Sequence, residues 1–167
     1  MLTKRAAASY SLFATNPVAY SSIAMMKLTK KADYGLIALK HLATHAGSAS
    51  ASDIAELYHM SAPLMAKVLQ KLAKNGLVAA RHGSSGGYTL ARDPRQISAL
   101  DVIRAIDGPL FITSCFTSRG NCDVSSTCSI REPLRRVNES IVEVLGKVTI
   151  SHMTDEAPSA ELVELGV

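Results

Sequence analysis

Four times between Leu28 and Gly108 a Ser or Thr stands directly ahead of an amphipathic run, and this punctuation dictates a string of short helices. A hydroxyl in that place accepts a first-turn N–H that no carbonyl of the helix can reach. Thr29 opens a run with Tyr34, Ile37, Ala38, His41 and Leu42 at three-to-four spacing, closed by Gly47 and its Ser/Ala neighbours. Ser50-x-x-Asp53 has capping-box spacing and predicts a helix over 52–59. Ser61, with Pro63 in the first turn, predicts a third over 61–75, ended by the left-handed-tolerant pair Asn75-Gly76. Ser98-x-x-Asp101 opens a fourth, with Val102, Ile103 and Ile106 as its apolar positions, and Gly108-Pro109 stops it.

The third helix divides into two faces. Met65, Val68, Leu69 and Leu72 form an apolar stripe, while Lys67, Gln70, Lys71 and Lys74 take the rest of the circumference. Two short helices across a tight turn, the second with a basic outer face, form a helix-turn-helix pattern, although a solvated lysine face on an ordinary bundle helix looks the same. The next segment narrows the choice. Leu77–Arg81 and Tyr88–Arg92 are short strand-like runs around a Gly/Ser turn, which predicts a β-hairpin wing. Arg81, His82 and Gly86 lie at its tip, where glycines let backbone approach a phosphate chain or a narrow minor groove. A nucleotide-cradling loop is excluded, because no Walker lysine follows and the turn returns to a strand. In this arrangement Ser61, Pro63 and Leu64 at the start of the third helix are placed for base edges and sugars, and Lys67, Lys71 and Lys74 for phosphates.

Charge follows the same division. Residues 27–92 carry nine bases and three acids, residues 93–167 seven and eleven, and residues 1–26 only Lys4 and Arg5. A basic segment followed by an acidic one fits a polyanion-binding part joined to a part with another task. No run of eighteen apolar residues occurs, so no membrane span is expected and the chain reads as soluble and cytoplasmic. Residues 1–26 lack acids and periodicity; a signal peptide is broken by Ser9, Tyr10, Ser11, Asn16 and Pro17, and a disordered leader or an over-extended start ahead of Met25 and Met26 is favoured over an organellar-type leader.

All three cysteines fall within one loop over 109–129, spaced Cys115-x6-Cys122-x5-Cys128. Such clustering of an odd number points to metal ligation or redox chemistry rather than a disulfide framework. Zinc, copper(I) or an iron–sulfur cluster would suit soft thiolates, and unligated redox thiols remain open; gaps of six and five are wide for a zinc knuckle. Beyond the loop, Ile130, Leu134, Val137, Ile141, Val144 and Val148 recur at seam spacing and predict a long helix over 130–153. That stripe needs cover, either from a second copy of itself or from its own domain. The stretch 154–167 is acidic and aperiodic, and is expected to be a flexible tail.

The run from Lys27 to Gly35, the stretch Lys71–Val78, the Gly86-Gly87-Tyr88 wing and three later cysteines in one loop resemble the Rrf-type winged-helix iron–sulfur regulators, the family that includes the IscR, NsrR and RirA proteins. The resemblance spans roughly residues 26–153. It implies a mainly α fold: a winged helix-turn-helix over 27–108 and a long C-terminal dimerisation helix. It also implies a homodimer on a double-stranded DNA operator, and a 4Fe-4S or 2Fe-2S cluster at Cys115, Cys122 and Cys128 controlling genes of cluster assembly, iron supply or stress. Two positions depart from the pattern. Arg131 stands where one branch places a histidine ligand, and Ser84-Ser85 replaces Pro-Gly in the wing. By likeness to the nitric-oxide-sensing branch, Asp33 of the partner subunit would be the fourth ligand; read alone, an Asp in a first helical turn needs no metal.

Catalysis is not expected. The five histidines are scattered, His41 and His45 lack the intervening glutamate of a zinc-protease helix, and no Cys-x-x-Cys is present.

Overall fold

The computed structural model describes residues 28–83, 86–117 and 122–154. The expectations for the leader 1–26, for the wing-tip serines and for the tail beyond 154 lie outside these residues.

Helix α1 (Lys30–Thr44) begins as its capping residue dictates, with the Thr29 hydroxyl accepting from the Ala32 N–H at 3.1 Å. Helix α2 (Ala51–Leu57) carries the full capping box between Ser50 and Asp53, and α3 (Ala62–Lys74) follows with Pro63 in its first turn. Both helices of the pair end in the same way. After α3, Gly76 sits at φ +69° while the Leu77 N–H reaches back to the Leu72 carbonyl at 3.0 Å. After α2 the left-handed residue is His59, at φ +52°, and the Met60 N–H reaches the Ala55 carbonyl at 2.7 Å. The turn between the two helices is therefore a Schellman turn without a glycine.

Strands β1 (Val78–Arg81) and β2 (Gly87–Leu90) form the expected antiparallel hairpin, with Val78 opposite Leu90 and Arg81 opposite Gly87. The hairpin is tied to the helix pair by a bridge between Ala49 and Tyr88, through N–H···O bonds of 3.1 and 2.9 Å. Helix α4 (Ala99–Asp107), opened by the Ser98–Asp101 box, ends at Gly108 with φ +89°.

Met65, Val68, Leu69 and Leu72 of α3 are buried against Ala38 and Leu39 of α1, Val102 and Ile106 of α4 and Ile150. Burying these side chains contributes roughly 1.5–3 kcal/mol each before entropy is counted, and makes this one continuous core.

Helix α5 (Arg131–Lys147) has no fully buried residue: Leu134, Ile141 and Val144 are half-buried where it packs on α4, and Val137 is 49% exposed, so its own subunit covers the apolar seam only in part. The predicted helix over 130–153 is interrupted. The Ala99 N–H bonds the Val148 carbonyl at 2.7 Å, the Ile150 N–H bonds the Ile97 carbonyl at 2.9 Å, and the chain then resumes as α6 (Ile150–Thr154). The helix stops because the backbone at 148–150 pairs with the entrance of α4 and Ile150 enters the core. No described helix is long and apolar enough to cross a membrane.

Candidate nucleic-acid interface and cysteine loop

The amino end of α3 presents exposed Ser61 and Pro63, with Leu64 partly buried against the core. Ser61 caps α3 through its backbone position alone, so its hydroxyl is not spent on the helix. Farther along, exposed Lys67, Lys71 and Lys74 share a cleft of about 360 Å3 with Lys31 of α1 and with Gln70; Val68 and Ile106 floor it. The Lys71 ammonium donates to the Ile106 carbonyl at the end of α4. Asn75 donates to the Lys71 carbonyl at 2.8 Å and to the Ala105 carbonyl at 3.4 Å. The Thr29 hydroxyl donates to the Asp107 carboxylate at 2.7 Å, so the carboxyl end of α4 is fastened to both α1 and α3.

Across the helix pair, Arg81, His82 and Gly86 of the wing line a second concavity, of about 470 Å3, with Ser50 and Ala51 at the start of α2. The Gly86-Gly87 pair is required by backbone crowding. A Cβ on Gly87, at φ +157°, would lie 2.7 Å from the Ala49 carbonyl oxygen, and one on Gly86 would lie 2.8 Å from the Gly83 oxygen. Only glycine lets the wing come this close to the loop ahead of α2.

The cysteine loop leaves α4 at Gly108 and returns at α5. Its first part is held to α5 by the Ile112 N–H, which donates to the Asn138 side chain at 3.0 Å. Cys115 lies in a 3-10 turn over Ser114–Phe116 with its sulfur 3.0 Å from the Thr113 hydroxyl. Cys122 and Cys128 flank a series of turns in which the Ser125 N–H bonds the Cys122 carbonyl at 3.0 Å. All three thiols are free and half-buried. The donor chemistry fits a thiophilic metal or cluster. Convergence is a separate matter: among the described residues no group of three or more His, Cys, Asp or Glu side chains is gathered to hold a metal ion. Asp33 is exposed in the first turn of α1.

The perturbed acids are structural. Hydrogen bonding and attraction from Arg135 pull Glu132 down to about 2, and Arg95 does the same to Asp93; both pairs are exposed and serve as local staples. His41 is lowered from its ordinary 6.5, first by burial and then by its stacked neighbour His45.

Sequence reasoning missed Lys31 and Ser50 as members of these two concavities. Their charge or polarity was visible, but their neighbours come from other elements, α3 for Lys31 and the wing for Ser50.

Comparison with known proteins agrees with this anatomy. Residues 28–156 match the Rrf2 family, described as iron-dependent transcriptional regulator. The HTH-type transcriptional regulator IscR of Xenorhabdus nematophila is 32% identical over 130 residues, 77% of this chain and 79% of that protein. Two solved structures superpose with TM-scores of 0.64. One is T. potens IscR, 32% identical over 83% of this chain and 93% of that one; the other is CymR, the global cysteine regulator of B. subtilis, 29% identical over 78% and 97%. A third, an oxidized form of Staphylococcus aureus CymR, is 26% identical over 80% and 100%, with a TM-score of 0.63. With the helix-turn-helix, the wing and the cysteine loop in sequence order, these matches make the chain a member of the Rrf2 family, whose proteins are transcriptional regulators and not enzymes.

Proposed function

We propose that the protein is a homodimeric repressor of the cytoplasm whose hold on a double-stranded DNA operator is set by an iron–sulfur cluster. Cys115, Cys122 and Cys128 are the thiolate ligands and Asp33 of the partner subunit is the fourth; the cluster is of the 4Fe-4S or 2Fe-2S type. The observation that carries the reading is the placement of three free thiols on the one loop that joins the DNA-reading domain to a helix whose apolar seam is only partly covered. The bound cluster supplies a redox- and ligand-sensitive iron centre. The chain's own part is mechanical. Ordering the loop shifts the junction of α4 and α5, and the α4 end, fastened to α3 through Lys71 and Asn75, passes that shift to the recognition helix. Operator binding stabilises, by linkage, whichever state of the loop binds it more tightly. The targets that the family resemblance implies are genes of cluster assembly, iron supply or nitrosative and oxidative stress.

In the assembly, Leu134, Val137, Ile141 and Val144 form the contact between the two α5 helices. On DNA, Ser61, Pro63 and Leu64 meet base edges and sugars, Lys67, Lys71 and Lys74 meet phosphates, and Arg81, His82 and Gly86 enter the minor groove.

Anaerobic purification tests the cluster directly. Coloured protein with acid-labile sulfide in proportion to iron is expected, bleached by Ala at any one of the three cysteines. A heterodimer with Asp33→Ala in one chain and Cys122→Ala in the other should keep one normal site. Colourless protein with stoichiometric zinc after iron and sulfide reconstitution would overturn the cluster. It would favour the second reading, a cluster-free repressor switched by zinc or by the thiols, to which the unconverged cysteines and the oxidized CymR relative lend weight.

A further inference from the structure

In the cleft between α1, α3 and the end of α4, the three α3 lysines assigned above to DNA phosphates are joined by a fourth, Lys31 of α1, which that assignment does not explain. Four lysines, Lys31, Lys67, Lys71 and Lys74, face one space of about 360 Å3. No acid lines it, and among the described residues none of the four makes an ion pair; of the domain's acids, Asp93 pairs with Arg95, Asp53 and Asp101 serve helix caps, and Asp107 accepts from the Thr29 hydroxyl. Like charges are gathered at a cost unless an anion joins them. The arrangement is also partly held in place. Lys71 is pinned by the Ile106 carbonyl, and the three lysines of α3 recur at four and three residues, which puts them on one side of that helix. An anion entering here would order fewer side chains than one binding to free surface lysines. The Gln70 amide adds a neutral donor beside the ammonium groups.

We infer that this cleft is a phosphate seat, and that Lys31 of α1 is one of its ligands. A phosphoryl group suits it because several compact ammonium donors can share its oxygens from different directions. The same chemistry has two sources here: a backbone phosphate of DNA lying beside α3, or the phosphoryl group of a free small molecule. The first deepens the DNA-binding reading above, by extending the contact surface beyond α3 and the wing onto α1; the second would be an effector site independent of it.

The test uses the full-length dimer, wild type and Lys31→Met, with Lys31→Arg as the charge-retaining control. Lys31 is exposed, so the fold should survive either change. Affinity for a random-sequence duplex is measured against salt, and inorganic pyrophosphate is titrated calorimetrically without DNA. A backbone seat predicts that Lys31→Met lowers the salt slope by about one unit per engaged protomer and weakens binding about 8-fold per protomer at 0.1 M salt, with Lys31→Arg near wild type. A free-ligand seat predicts saturable pyrophosphate binding that Lys31→Met abolishes while the salt slope stays unchanged. If Lys31→Met changes neither measurement, the seat is overturned, and a wild-type protein that still binds duplex leaves the DNA-binding reading standing. Wild type that binds no duplex would sink that reading instead, and the pyrophosphate titration would still decide the seat.

Discussion

Gly87→Ala should detach the wing from the helix pair. The new Cβ would lie 2.7 Å from the Ala49 oxygen and 2.8 Å from its carbonyl carbon, both backbone atoms, so no side chain can rotate aside. Ala49 itself is only 4% exposed and directly precedes Ser50, the capping residue of α2, so a backbone shift there would disturb the box that starts the helix. Relief therefore comes from β2, at the expense of the two N–H···O bonds of 3.1 and 2.9 Å between Ala49 and Tyr88. Two such bonds contribute about 0.5–1.5 kcal/mol each, so a loss near 2 kcal/mol is expected. For a chain of this size that lowers the melting temperature by about 4–8 °C. Because Arg81 is opposite Gly87 in the hairpin, the same displacement should weaken operator binding about tenfold per protomer, the order of one lost phosphate contact in each. Thermal melts followed by circular dichroism and fluorescence anisotropy on labelled operator provide the two readouts. A melting temperature within about 1 °C of wild type together with unchanged affinity would refute the close-approach reasoning.

Three further outcomes are expected. His59→Gly should raise the melting temperature by about 2–4 °C, because it relieves a left-handed residue costing about 1 kcal/mol; a drop would show that the His59 side chain matters more than its backbone. Ile141→Asp should yield monomer in sedimentation, with operator binding largely lost, since it puts a carboxylate into the α5 contact; a stable, DNA-competent dimer would place the seam elsewhere. Burial and His45 hold His41 below its ordinary 6.5, so the folded state disfavours the proton and stability should be full above that value and fall as pH drops through it. Melts at pH 7.5 and 5.5 should differ less in His41→Leu than in wild type; an equal difference would assign the acid sensitivity to other groups.

Much of the domain was legible because its signals are local. A capping box closes between residues three apart, so Ser50–Asp53 and Ser98–Asp101 declare their helices without reference to the rest of the chain. Asn75-Gly76 is equally local, since left-handed backbone is decided by the residue that occupies it. The α3 stripe followed from periodicity, and all four of its apolar members are buried. That Cys115, Cys122 and Cys128 share one loop was legible in the same way, whereas whether their side chains gather is a matter for the tertiary structure.

What the tertiary structure decided lies between distant segments. His59 carries a turn usually given to glycine, and composition offers no sign of it, because the strained backbone is held by the bond from the Met60 N–H to the carbonyl of buried Ala55. The seam pattern runs to Val148 and the helix is expected to continue to 153, yet it stops at Lys147; pairing with Ile97 and Ala99, some fifty residues earlier, outcompetes helical continuation there. The reason Gly87 is glycine lies at Ala49, and the reason Lys31 belongs with Lys71 lies in how α1 crosses α3. Periodicity reports which face of an element is apolar, but not what covers it. Backbone pairing between remote residues, and the meeting of side chains from different helices, depend on the closed core, and that exists only once the whole domain has folded.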